Sequence, residues 1–187
     1  MSAGVGIIES MFEVDRAGVL IDEMCAAARA ENKAIAARLV RIGELFELRR
    51  AEHGEAKDYA VDTWAEVGAE IAAALRCSVA MAGSHMHYAR AMRDRLPQVA
   101  AVFVSGDIDF RTFQTVAYRT DLIKDDAAMT AVDRQLAARA PRWGSMSQSR
   151  LNVAIDRVVS RVDRDAVRLK RKCADNRNVV FWNAADG

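Results

Sequence analysis

At 187 residues, 51% of them hydrophobic, the chain is long enough to bury a core as one domain, or as one domain with an appended helical arm. Aromatic residues make up only 6% and prolines number two, Pro97 and Pro141, which favours long helices over a strand-rich fold. Cys25, Cys77 and Cys173 have no CxxC spacing, no apolar run approaches the ~20 residues of a membrane span, and the N-terminus lacks a basic segment before an apolar one; a disulfide framework, a membrane protein and a secretory signal are set aside in favour of a cytoplasmic protein.

Residues Asp15–His53 predict one long helix or two collinear ones. Ile21, Cys25, Ala28, Asn32, Ile35, Leu39, Ile42 and Phe46 recur in alternating steps of four and three, which is a heptad seam. Such a seam packs on its own domain or pairs with a second copy, and a lone Asn32 inside it is a residue type that fixes register or oligomeric state. Gly54 ends the segment.

Asp58 or Asp62 stands ready to cap the next helix, with Trp64, Val67, Ile71 and Leu75 inward. Arg76-Cys77-Ser78 reads as a turn, and Ser78 caps a helix from Val79 to about Met92 with Ala82, Met86 and Ala89 inside. Pro97 opens the following helix and Gly106-Asp107 stops it. Asp107 or Asp109 then starts a helix carrying Phe110, Phe113, Val116 and Ala117. Met129, Val132 and Leu136 give another over about Asp126–Arg139, and Pro141-Arg142-Trp143-Gly144 reads as a loop. The last long helix starts near Ser147, buries Leu151, Ile155, Val158 and Val162, and runs to Cys173 past a nick at Asp163-Arg164-Asp165. Val179-Val180-Phe181-Trp182 is strand-like, and unpaired it invites aggregation. The expected fold is therefore all-α. It is a multi-helix bundle with a long helical arm over 12–53, a helical core over 58–175 and a short C-terminal strand stub over 178–187.

Charge is unevenly spread beneath a net of +1. Residues 1–75 hold 8 Lys/Arg against 14 Asp/Glu, and residues 76–187 hold 19 against 12. The basic part meets either the acidic part within the fold or an acidic partner outside it. Its sharpest feature is Arg157, Arg161, Arg164, Arg168 and Arg171, spaced four, three, four and three, so that a continuous helix lines them along one stripe. Like charges at that spacing repel mildly unless something acidic lies along them. A phosphate backbone, the acidic first helix and solvent are the three candidates.

The segment from Glu70 to Ser78 and the helix after it are helix-turn-helix-like. Val79, Ala80, Gly83, Ser84 and His87 would then face a major groove, yet none is the Arg, Lys, Asn or Gln that matches base edges. His85 and His87 point about 200° apart on a helix and share no metal, and no cysteine stands near them at ligand spacing. Asp107, Asp109, Asp121, Asp125 and Asp126 sit at helix starts, where capping accounts for them. There is no glycine-rich phosphate loop and no GxSxG-type nucleophile turn. The residues point to no catalytic or metal site, no cofactor and no small-molecule substrate.

Phe12–Gly187 resembles the mycobacterial 13E12 repeat family, whose shared region is the domain of unknown function 222. The matching stretches are MFEVDRAGVLIDEMCAAARAENKAIAARL, then EIAAALRCSVAMAGSHMHYARAMRDRLPQVAAVFVSGDIDFRTFQTVAYRTDLI, then AVDRQLAARAPRWGSMSQSRL; the order RLP, SGDIDF, RT is the specific part. The resemblance implies a nucleic-acid-related role, a high-GC actinobacterial source and a link to repeated, mobile-like genomic elements. Family members typically continue further, and many end in an HNH-type endonuclease module. Its histidines and metal ligands do not occur here, so the resemblance implies a truncated or short member without nuclease activity. The expected function is a non-catalytic, DNA-associated helical module using the arginine stripe. The alternatives are a protein-interaction module forming a homodimer through the N-terminal helix, or a partial copy with no function of its own.

Overall fold

The computed structural model describes the backbone of residues 4–53 and 59–162 and the side chains of 16–53 and 63–162. Within them the fold is all-α. Helices α1 (Gly4–His53), α2 (Tyr59–Leu75), α3 (Val79–Arg90), α4 (Pro97–Val104), α5 (Phe110–Thr120), α6 (Asp126–Ala137) and α7 (Gln148–Val162) follow one another, with a π-helical turn at Ala91–Arg95 and a 3-10 turn at Ala140–Arg142. The strand stub expected over 178–187, the nick at Asp163–Asp165 and the run to Cys173 lie outside the described residues.

Helix α1 starts at Gly4, earlier than Asp15, since no proline interrupts the chain between them. Its heptad seam divides. Ala36, Leu39 and Ile42 are buried and Ile35 and Phe46 partly so, against α2 and α3, whereas residues 16–31, including Ile21, Cys25 and Ala28, are exposed throughout. Asn32 stands at the division. Its Nδ2 donates to the Gly106 carbonyl at 3.3 Å, so it ties α1 to the α4–α5 turn of its own chain. The Asp107 carboxylate holds the same joint by pairing with Arg29 and accepting from Ser105 Oγ at 2.7 Å. Those two partners keep its carboxyl below the usual range, Ser105 contributing most.

Helix α2 runs back along α1, as His53–Thr63 and Arg49–Glu70 show, and Trp64 meets Phe46 edge-on at 5.5 Å. Arg76 takes φ 51° to reverse the chain, and Ser78 caps α3 by accepting from Met81 N–H at 3.1 Å. Helix α3 then returns parallel to α1, with Gly43 against Ala89 and Glu47 paired with Arg93. Ala82, Met86 and Ala89 face inward as the periodicity predicts.

Helices α4 to α7 form the second half, joined to the first through Phe103, Val99 and Leu96 in one continuous core. Phe103 stacks on Phe113 at 5.1 Å and on Phe110 at 6.1 Å. Pro97 occupies the first turn of α4, leaving the N–H groups of Gln98 and Val99 without partners in their own helix. Asp133, from the inner side of α6 and only 1% exposed, accepts both, at 2.9 and 3.0 Å. Burial pushes its carboxyl up, and the two N–H donors pull it partly back. Arg95 treats the opposite kind of end, donating to the carbonyls of Thr120, Ile123 and Asp121 beyond α5 at 2.7, 3.0 and 3.2 Å. Asp109 and Asp125 cap α5 and α6 by accepting from Thr112 and Ala128 N–H. Pro141–Gly144 connects α6 and α7 as expected of a loop, beginning with the 3-10 turn, and within it Trp143 alone is buried.

Gly106 is the position where glycine is required. At φ +81° a Cβ would lie 2.8 Å from the Arg29 carbonyl oxygen. Gly106→Ala should cost about 1–3 kcal/mol, whereas Gly83→Ala, inside α3 with nothing within 4 Å, should gain about 0.5–1 kcal/mol. Urea midpoints at unchanged slope measure both. Asp133→Ala leaves the buried Val99 N–H and the part-buried Gln98 N–H unpaired and should cost about 1–3 kcal/mol by the same measurement.

Candidate nucleic-acid interface

Helix α7 is amphipathic by its own spacing. Leu151, Ile155, Val158 and Val159 are buried against α5 and α6, and Val162 is partly so. Ser147 opens it, its carbonyl accepting from Leu151 N–H at 2.9 Å. Gln148 binds α7 to α5, accepting from Arg111 at 2.7 Å and donating to Thr115 at 3.1 Å. One turn from the far end, Arg119 of α5 grips Asp156 with two bonds of 2.8 and 2.7 Å. Both side chains are about four-fifths buried. This bidentate pair takes up the one acidic side chain of α7.

What remains on the outside is basic. Arg157 and Arg161 are exposed, and Arg150 joins them seven residues upstream on the same face. None of the three has an ion pair among the described residues. Arg164, Arg168 and Arg171 lie outside the described residues. Sequence reasoning overlooked Arg150, although its seven-residue step to Arg157 was a readable signal. Among the described residues no acidic side chain of α1 or α2 pairs with this face. The α1 ion pairs that reach past α2 go from Glu47 to Arg93 and from Arg29 to Asp107, and α7 rests on α5 and α6.

The α2–α3 segment packs as a helical hairpin. The exposed start of α3 presents Val79 and Met81 beside Ala80, Ser84 and His87, with no side chain suited to base edges. His85 turns inward instead, toward Phe110 at 6.5 Å between ring centres. Its Nδ1 is buried with no hydrogen-bond partner among the described residues, and desolvation, helped by nearby Arg38, holds its pKa below the ordinary 6.5. Among the described residues no group of three or more His, Cys, Asp or Glu side chains is placed to hold a metal ion, and no helix is long and apolar enough to cross a membrane.

A second concavity lies between α1, α3 and α4, an apolar groove of about 760 Å³ floored by Gly43, Met92 and Ala101. Val40, Leu48 and Val104 stand exposed along it. Val40 and Leu48 lie off the seam of α1, and for that reason the heptad pattern does not reveal the groove.

The family profile described as Domain of unknown function (DUF222) matches residues 26–187, which takes in α2 to α7 and most of α1. The chain belongs to the DUF222 family. Three relatives from Mycobacterium tuberculosis are each 40% identical to this DUF222 chain. "Uncharacterized protein Rv2100" of strain ATCC 25618 / H37Rv aligns over 88% of the chain and 30% of its own length. "Uncharacterized protein Rv3776" of the same strain aligns over 82% and 29%, and "Uncharacterized protein in est 3'region" over 82% and 43%. The chain thus spans less than half the length of the curated relatives it matches. No solved structure matches it.

A histidine held neutral by the fold makes stability depend on pH. Above 6.5 both folded and unfolded states carry His85 neutral, and the stability is fully present. As pH falls below 6.5 the unfolded chain takes up the proton first, and stability is lost down through the lower folded value. His85→Phe keeps the ring against Phe110 and should flatten that loss, read from urea midpoints of both proteins between about pH 5 and pH 8.

Proposed function

We propose that this chain is a non-catalytic, nucleic-acid-associated helical module that meets the phosphate backbone with the outer face of α7. The observation that carries the reading is the exposed row of Arg150, Arg157 and Arg161, with no ion pair among the described residues. Three like charges on one helix face repel, and a phosphate backbone relieves that repulsion while releasing counter-ions. At 1.5 Å per residue, Arg150 and Arg161 stand about 16 Å apart along the axis, enough to span successive phosphates. With no base-reading side chains at the start of α3, the binding is backbone contact without sequence readout. The link to repeated, mobile-like elements that the resemblance implies agrees with duplex DNA as the acidic partner. A second reading, self-association, is favoured by the exposed half of the α1 seam.

Fluorescence anisotropy with a labelled random duplex at two salt concentrations tests the main reading. Each lost phosphate contact should lower the salt slope by about 1. Arg157→Glu with Arg161→Glu should therefore weaken binding at low salt and flatten the slope by about 2. Equal affinity and slope in the variant and the parent would remove α7 from the interface.

A further inference from the structure

The N-terminal half of α1 carries an apolar face that no other described element covers. Residues 16–31 are exposed throughout, with Leu20, Ile21 and Met24 at 51%, 54% and 63%. Helical periodicity gathers Ala17, Leu20, Ile21, Met24, Ala27 and Ala28 on one side, which ends at Glu31, with Arg16 and Glu23 along its edge and Asp22 turned away. This side continues the one on which Ile35, Leu39, Ile42 and Phe46 meet α2 and α3. It is a helix-packing surface prolonged beyond its own core.

We propose that this face binds the same face of a second copy, the two α1 arms crossing antiparallel. The inference rests on the self-association reading, to which it adds the face and the direction, and not on the nucleic-acid one, since it uses no residue of α7. The order of side-chain sizes supports a two-fold. Ala17, Ile21, Met24 and Ala28 are spaced four, three and four, small, large, large and small, and the pattern is the same read backwards. An axis between Asp22 and Glu23 sets Ile21 against Met24 of the second copy and Ala17 against Ala28 of the second copy. On the flanks Leu20 meets Ala27 of the second copy, and Gly18 meets Cys25 of the second copy. Bulk faces a gap at each flanking contact, as an isologous interface requires. The flanking positions Gly18, Leu20, Cys25 and Ala27 carry no charge that would select a different partner.

The placement of the core decides the direction. From Asn32 onward the same side of α1 is occupied by the α4–α5 turn, α2 and α3. A parallel pair would push two cores into one space. An antiparallel crossing puts them at opposite ends, with the arms inclined so that each clears the other's core. The face offers the eight positions named above, against roughly 20–30 residues a side in a standard interface, so the pair is expected to be weak.

Sedimentation equilibrium of the full chain, over about 1 to 500 µM to bracket so small an interface, should show a monomer–dimer equilibrium. Ile21→Asp with Met24→Asp should weaken it at least tenfold. Both positions are exposed, so the thermal unfolding of the core should be unchanged. Direction is read by mixing two differently tagged chains in a Cys25→Ala background, one with Ile21→Cys and one with Met24→Cys. The antiparallel pair predicts a mixed disulfide between the tags in excess of either self-linked species. A monomer at every concentration, a dimer indifferent to the double substitution, or a dominant self-linked Ile21→Cys species would each overturn the proposal. Duplex binding by the same proteins is read separately, and its absence leaves the sedimentation result as it stands.

Discussion

The Asp133 carboxylate lies almost wholly out of water, and the start of α4 depends on it. Pro97 lets α4 begin sharply after Leu96, but the next two N–H groups, Gln98 part-buried and Val99 buried, then have no acceptor in their own helix. A carboxylate delivered from α6 satisfies both, and in doing so it fixes the distance between α4 and α6. Arg95 answers the opposite need a few residues earlier by collecting three carbonyls beyond the end of α5. Arg95 just before Pro97, and Asp133 against the residues just after it, therefore tie the start of α4 to the end of α5 and to the inner side of α6. The apolar layer of Phe103, Phe113, Val132 and Leu136 fills the space those ties define.

Charge is sorted by the same logic of contact. Asp156, the acid within α7, faces α5 and is held by Arg119, so the outer side of α7 is left to arginine. Among the described residues the ion pairs of α1 are local or reach α2, the α4–α5 turn and the π-helical turn, and none reaches α7. An exposed basic face and an exposed apolar arm are left on the same molecule among the described residues.

The helix periods and several caps were legible without coordinates. Ser78, Asp109 and Asp125 each accept from an N–H three residues on, a reach contained in the local sequence. The inward sets Ala82–Met86–Ala89 and Met129–Val132–Leu136 follow from periodicity alone. Asp133 was not legible, because a lone acid on an apolar face has no local partner that announces its purpose. Arg95 and the Arg119–Asp156 pair escaped for the same reason, their partners lying 25 to 37 residues away. The burial of Trp143 within the α6–α7 connection was likewise not legible, since a tryptophan between proline and glycine shows nothing in sequence of what covers it.

By itself the sequence determined that this is a helical protein, roughly where its helices run and which side of each is apolar. Those properties depend on backbone and side-chain contacts within about four residues. Tertiary structure alone decided how the surfaces were used. It buried the heptad seam of α1 below Asn32 and left it open above, and it paired Asp156 while leaving Arg150, Arg157 and Arg161 free of ion pairs among the described residues. Which helix lies beside which is set by contacts between residues far apart in the chain, and the spacing of one helix contains no record of its neighbour.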